Sequence, residues 1–239
     1  MTKLLYGIPV VEKQKIILKD RADELAKLGV RPCLAVVSVG DRAEDKAYEK
    51  SILGNAEDFG VQIRSVACPA NYCEEDLRNT LDLLGRDSDV HGILVLRPLP
   101  SGFDENSILA AIPPQKDVDG VTIQSKAGIY AAVPEFAPCT AEAVMRMLEH
   151  YDIDVSGKRA VVVGRSMVIG KPVSMLLLDK NATVTVCHSK TDDLASITRQ
   201  ADVLVVCAGL ATSGPGSGIT REHLQAGQTV IDVGIHWSA

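Results

Sequence analysis

The sequence has no basic excess: 25 Lys and Arg stand against 31 Asp and Glu, a net charge of −6 over 239 residues. That balance cannot neutralise a phosphate backbone, which excludes general nucleic-acid binding. A long apolar run is missing too. The longest uncharged one, Val203 to Ala211, is about half of a bilayer span, so no membrane partner is expected. The N-terminal MTKLLYGIPVVEKQK meets charge too soon for a secretory signal, and a cytoplasmic chain is expected. The six cysteines, at 33, 68, 73, 139, 187 and 207, include no CxxC pair, and no two histidines stand four apart. Neither a disulfide framework nor a metal site is expected from those spacings. Cys33, Cys187 and Cys207 fall in apolar runs, where a free thiol behaves as a small buried hydrophobe. Internal repeats and low-complexity segments are absent. What remains is 46% apolar and 23% charged, a globular composition that excludes intrinsic disorder.

Short apolar runs alternate with amphipathic stretches. Helical spacing of Ile17, Leu18, Ala22, Leu25 and Leu28 predicts a helix over 10–28 with Gly29 as its stop. Further helices are expected at 42–59, at 74–85 closed by Gly85, at about 104–112, from a cap at Thr140 to about 151, from about 169, and near 192–200. Strands are expected at 33–40, 63–68, 92–96, 158–164, 183–188, 202–209 and 229–234. PPQKDVDG (113–120) reads as a loop, and 121–138 as irregular. The last four strands are β-branched and nearly continuous in apolar residues, as strands covered on both faces of a parallel sheet are. The rhythm predicts an α/β chain in two lobes, the second a Rossmann-like doubly wound parallel sheet. The change of pattern near 120–140 divides it into domains 1–138 and 139–239.

The first strand of the second lobe runs into Gly164-Arg165-Ser166-Met167-Val168-Ile169-Gly170-Lys171-Pro172. A glycine turn between strand and helix lets backbone approach a pyrophosphate, and the helix N-terminus adds N–H groups and dipole. The next strand ends Cys187-His188-Ser189-Lys190. An NAD site carries an acid there for the ribose 2′-hydroxyl. Here a hydroxyl and a cation, with Arg165 from the turn, suit a 2′-phosphate, so NADP is expected over NAD.

The chain resembles the methylenetetrahydrofolate dehydrogenase/cyclohydrolase family. Matching blocks are Tyr48 to Gly60, GILV…PLP (92–100), KDVDG (116–120), PCT (138–140), GRS…GKP (164–172), ATVTVCHSKT (182–191) and IDVGI (231–235). The resemblance implies a folate-binding lobe, a Rossmann lobe, an active site in the cleft between them, and homodimers formed through the Rossmann lobes. It implies one-carbon derivatives of tetrahydrofolate as substrates. Asp119 matches the family's pterin-binding aspartate, whereas the plain reading of an Asx turn before Gly120 fits Asp117. Tyr48 matches the tyrosine that lies along the folate, and Pro98 and Leu99 belong to the substrate-binding turn. The implied cofactor set is Gly164, Arg165, Ser166, Gly170, Pro172, His188, Ser189 and Thr140.

Departures shape the expected activity. The family's catalytic lysine stands four residues after the tyrosine, and here that position is Ile52. The family's supporting glutamine is replaced by Leu96, with Arg97 next to it, and the proline of the CTP motif is Ala141. Hydride transfer needs no general base, because the product cation is delocalised over two nitrogens. Cyclohydrolase chemistry must shuttle protons and needs an ionisable group. The expected function is therefore an NADP-dependent 5,10-methylenetetrahydrofolate dehydrogenase with weak or absent cyclohydrolase. The alternatives are a bifunctional enzyme in which Lys46, Lys50 or Arg97 replaces the lysine, and a non-catalytic folate- or nucleotide-binding paralogue. After IDVGI the sequence reads His236-Trp237-Ser238-Ala239, where the family continues through a Pro/Gly-rich loop and a last helix. Loss of that segment is expected to weaken substrate binding.

Overall fold

The computed structural model describes residues 3–208 and 218–234. Two compact units divide the chain between 125 and 126.

The first unit is built on a three-stranded parallel sheet of β1 (Cys33–Val39), β2 (Gln62–Cys68) and β3 (Gly92–Val95), in the order β2-β1-β3. Ala35, Val36 and Val37 in the middle strand are almost wholly covered, because β1 has a neighbour on each side. Four helices accompany it: α1 (Gly7–Lys27), α2 (Ala43–Asp58), α3 (Glu74–Arg86) and α4 (Glu105–Leu109). Leu77, Leu81 and Leu84 form one stripe along α3, which they bury against Val37, Ile93 and Ile112. Gly85 lies inside α3 and does not close it. A Cβ there would come within 2.9 Å of the Pro113 ring, so this glycine serves the close approach of a loop.

The predicted helix at the N-terminus is present, but its apolar stripe is not a core face. Only Val10 and Ala22 are buried; Ile17, Leu18 and Leu25 are more than a third exposed, and Leu28 is 78% exposed. Periodicity specifies the helix, and packing alone decides what covers it.

The segment 113–120 contains a 3-10 turn at Pro114–Lys116, and 121–138 is not irregular throughout: Ile123–Tyr130 is a helix, α5. Asp117 explains the helix. Its carboxylate is fully buried and accepts from Val121 N–H (3.0 Å), Thr122 N–H (2.8 Å) and Ser125 Oγ (2.6 Å). That is more than an Asx turn, since one side chain holds the backbone ahead of α5 and a hydroxyl within it. IQSKAGIY carries too little helix signal by itself, and the partner that organises its start lies six residues before it.

The second unit has a four-stranded parallel sheet in the order β5-β4-β6-β7: β4 (Arg159–Val163), β5 (Thr183–Cys187), β6 (Val203–Val206) and β7 (Thr229–Asp232). The helices are α6 (Cys139–His150), α7 (Gly170–Asp179) and α8 (Leu194–Thr198). β4 and β6 are buried as expected, apart from Arg159. The expectation of cover on both faces fails for the edge strands, where Thr183, Thr185, Val186 and Val230 are exposed. β-branched residues suit an edge as well as a centre, so composition does not reveal strand order. Pro138 occupies the N-cap of α6, and Thr140 stands inside the first turn without capping it. Cys33, Cys68 and Cys187 are buried, and Cys207 is partly so, its thiol pushed up to about 11 by burial. Gly209, Ile235 and His236–Ala239 lie outside the described residues. No helix among the described residues is long and apolar enough to cross a membrane.

Replacing Asp117 by Ala orphans three buried donors. Each costs about 1–3 kcal/mol, so Asp117→Ala is expected to lower unfolding free energy by at least about 3 kcal/mol, read from urea denaturation.

Candidate active site

A cavity of about 310 Å³ opens in the first unit at the carboxyl end of β3, the end at which open parallel sheets bind ligands. Leu94, Val95, Leu96 and Arg97 form its floor, the start of α2 supplies Glu44, Asp45 and Tyr48, and Asp119 enters from the DVDG loop. Glu44 and Asp45 precede Tyr48 by four and three residues, which sets all three on one helical face. Arg42, just before α2, donates from Nη1 to the Pro98 carbonyl at 2.8 Å, and its Nε stands 3.9 Å from the Asp45 carboxylate. That tie fixes the mouth of the helix to the turn after β3. Arg97 donates from Nη2 to Asp119 Oδ2 at 3.0 Å and from Nη1 to Glu105 Oε1 at 3.3 Å. The Arg97 and Asp119 side chains are both 24% exposed, so the pair is partly screened from water.

The structure brings Tyr48, Leu96 and Asp119 together around this cavity. Ile52, one turn further along α2, is half-buried and does not line it. Pro98 contributes through its carbonyl to Arg42, and Leu99 packs against the hydrophobic core instead of the cavity. Of the three cations named above as replacements for the lysine, Lys46 is ion-paired with Asp41, Lys50 is exposed, and only Arg97 lines the cavity. Sequence reasoning missed Arg42, Glu44 and Asp45 as members. The spacing of Glu44 and Asp45 before Tyr48 was the available signal.

In the second unit, Gly164 follows β4 at φ 127°, a conformation that side chains oppose. A Cβ on Gly170 would sit 2.2 Å from the Gly164 carbonyl oxygen, so helix and turn touch backbone to backbone. Ser166 Oγ accepts from the N–H groups of Ile169 (3.1 Å) and Gly170 (3.4 Å), serving the start of α7. Its hydroxyl is thus already engaged in building the turn. Pro172 is buried in the first turn of α7, where a missing N–H costs no helical bond. Arg165 and Lys171 are exposed beside the turn.

His188 follows β5. Its Nδ1 accepts from the Lys190 N–H at 3.1 Å, which puts the ring proton of the neutral imidazole on Nε2. Ser189 and Lys190 are exposed, and the nearest following acids are Asp192 and Asp193, of which Asp193 caps α8 by accepting from Ser196 N–H. Thr140 is half-buried on α6, which packs against α7.

Residues 5–119 match the catalytic domain of tetrahydrofolate dehydrogenase/cyclohydrolase, and residues 138–238 match its NAD(P)-binding domain. The chain belongs to the tetrahydrofolate dehydrogenase/cyclohydrolase family. A relative named bifunctional protein FolD from Clostridium botulinum is 40% identical over 237 residues, which cover 99% of this chain and 82% of that protein. The bifunctional FolD methylenetetrahydrofolate dehydrogenase/cyclohydrolase structure from Campylobacter jejuni is 37% identical, with a TM-score of 0.92 over 98% of this chain and 81% of that one. The Trypanosoma brucei dehydrogenase-cyclohydrolase, solved with NADP cofactor and an inhibitor, is 32% identical with a TM-score of 0.86 over 98% and 79%. In this family member the acid-bearing cavity lies in the first unit and the glycine turn in the second.

Gly170→Ala tests the turn. The overlap with Gly164 is expected to cost about 2–4 kcal/mol of stability and to weaken nucleotide binding by at least about tenfold, read by thermal unfolding and fluorescence titration with NADP.

Proposed function

We propose that the chain is an NADP-linked 5,10-methylenetetrahydrofolate dehydrogenase with weak or absent cyclohydrolase activity, its folate-binding domain within 1–138 and its nucleotide-binding domain within 139–239. The observation that carries this is the cavity in which Asp119 and Tyr48 meet at the carboxyl end of β3 in a member of this family. Asp119 accepts from the 2-amino and N3–H donors of the pterin, which lie side by side. Tyr48 lies along the folate.

The close backbone contact of Gly164 with Gly170 fits a dinucleotide cradle, since a Cβ on Gly170 would push the start of α7 off the turn that has to sit against a pyrophosphate. When bound, NADP supplies the hydride acceptor. Arg165, Ser189 and Lys190 carry the charge and hydroxyl that recognise its 2′-phosphate, while His188 shapes the loop through its contact with Lys190. Gly170 and Pro172 hold the start of α7 against the turn, and Thr140 stands on the neighbouring helix. The protein's work in hydride transfer is orientation and exclusion of water, because no proton has to be removed.

Cyclohydrolase chemistry needs a proton carrier in the cavity. Ile52 and Leu96 are apolar at the two positions the family uses. Arg97 stays protonated and cannot act as a base. The bifunctional reading is supported by the names of the relatives and requires another carrier. A cytoplasmic homodimer completes the proposal, the exposed outer strand β5 being a surface that a second copy can cover.

The test is NADPH formation from methylenetetrahydrofolate with NADP and NAD supplied separately, beside hydrolysis of methenyltetrahydrofolate. NADP-dependent reduction with little hydrolysis is expected. Asp119→Asn is expected to raise KM for the folate by about 10–100-fold, and Ile52→Lys with Leu96→Gln to raise hydrolysis by at least about tenfold. NADP binding without any reduction would instead mark a non-catalytic paralogue, and robust hydrolysis by the unaltered protein would establish the bifunctional enzyme.

A further inference from the structure

Arg97 is the residue of this cavity that the proposed chemistry leaves unused. It replaces a leucine of the family pattern, so it is specific to this chain's version of the site. Its guanidinium is held by two carboxylates on separate segments, Asp119 on the DVDG loop and Glu105 at the start of α4. These contacts use two of five N–H donors. The remaining three belong to a side chain that lines the cavity and is mostly covered. Asp119 receives Arg97 on Oδ2 only, so Oδ1 and the second lone pair of Oδ2 remain for a ligand.

The Watson–Crick-like edge of a pterin presents, in order, the 4-oxo acceptor, the N3–H donor and the 2-amino donor. A carboxylate matches the last two. The first needs a donor immediately beside that carboxylate, and a guanidinium bonded to the same carboxylate stands there. We infer that Arg97 is a specificity-determining residue which donates to the 4-oxo oxygen of the pterin, so that Arg97 and Asp119 together read the whole edge. The inference rests on the assignment of Asp119 to the pterin. Glu105 is then the anchor that keeps the guanidinium in place once Asp119 is shared with the ligand. An edge with an amino group at position 4 would aim a donor at Arg97, and its N3, which then carries a lone pair in place of the proton, would face the Asp119 carboxylate, so the site would reject it on both counts.

The test is equilibrium binding to the full chain of folate, with its 4-oxo group, and of its 4-amino counterpart, at a mildly alkaline pH where the diaminopteridine ring is unprotonated. The unaltered protein is expected to prefer the 4-oxo ligand by about 10–100-fold, the value of a charged hydrogen bond. Arg97→Leu is expected to lower that ratio by about tenfold through loss of 4-oxo affinity, the mismatch between the N3 lone pair and Asp119 keeping what remains. Arg97→Lys, which keeps a cationic donor, retains part of it and provides the reading if the leucine variant does not fold. Asp119→Asn should weaken the 4-oxo ligand, whose N3–H and 2-amino group both donate to that carboxylate. A ratio that Arg97→Leu and Arg97→Lys leave unchanged while Asp119→Asn weakens the 4-oxo ligand would overturn the role of Arg97 alone. Equal tightening of both ligands in Arg97→Leu would do the same, making Arg97 a mere competitor for Asp119. No effect of Asp119→Asn on either ligand would overturn the pterin assignment itself.

Discussion

The buried carboxylate of Asp117 is the constraint on which the first unit's chemistry depends. It bridges in backbone to Ile93 of β3, and its oxygens gather two N–H groups and a hydroxyl from the start of the next segment. A fully buried charge is tolerable only when its hydrogen bonds are met, and here three are. The reward is a loop with little freedom. Two residues later Asp119 emerges at the edge of the cavity with its carboxylate turned to Arg97. Two acids in one short motif thus have different settings: Asp117 is buried on the backbone, and Asp119 lines the cavity.

Carboxylates outnumber arginines around the cavity, four to two, and each arginine is shared between two of them. Arg42 and Arg97 face Glu44, Asp45, Glu105 and Asp119, and the arginines also join segments distant in sequence. Partly covered ion pairs of this kind contribute modestly to stability and more to geometry. Arg42 ties α2 to the turn after β3, and Arg97 ties that turn to α4 and to the DVDG loop. Ile52 and Leu96, apolar where the family pattern has a lysine and the glutamine that supports it, leave this framework standing.

The second unit solves a different problem. An anion with two phosphates has to meet backbone N–H groups, so side chains must be kept out of the way. Gly164 and Gly170 remove two Cβ atoms where strand and helix meet, and Ser166 spends its hydroxyl on the helix start. After β5, Ser189 and Lys190 are exposed, and Asp193 is occupied by the start of α8.

Much of this was legible in one dimension. Apolar runs and helical spacing specified seven strands and most helices, because burial period follows directly from backbone geometry. The blocks KDVDG and GRS…GKP marked the loop that lines the cavity and the turn ahead of α7, since such turns tolerate few residue types. Tertiary structure alone decided that β5 and β7 are edges, that the stripe of α1 stays exposed, that Gly85 serves a loop, and that α5 exists. It alone showed that Arg97 reaches Asp119, 22 residues on. Each of these is a relation between segments far apart in the chain, and local composition carries no record of which distant partner a side chain will meet.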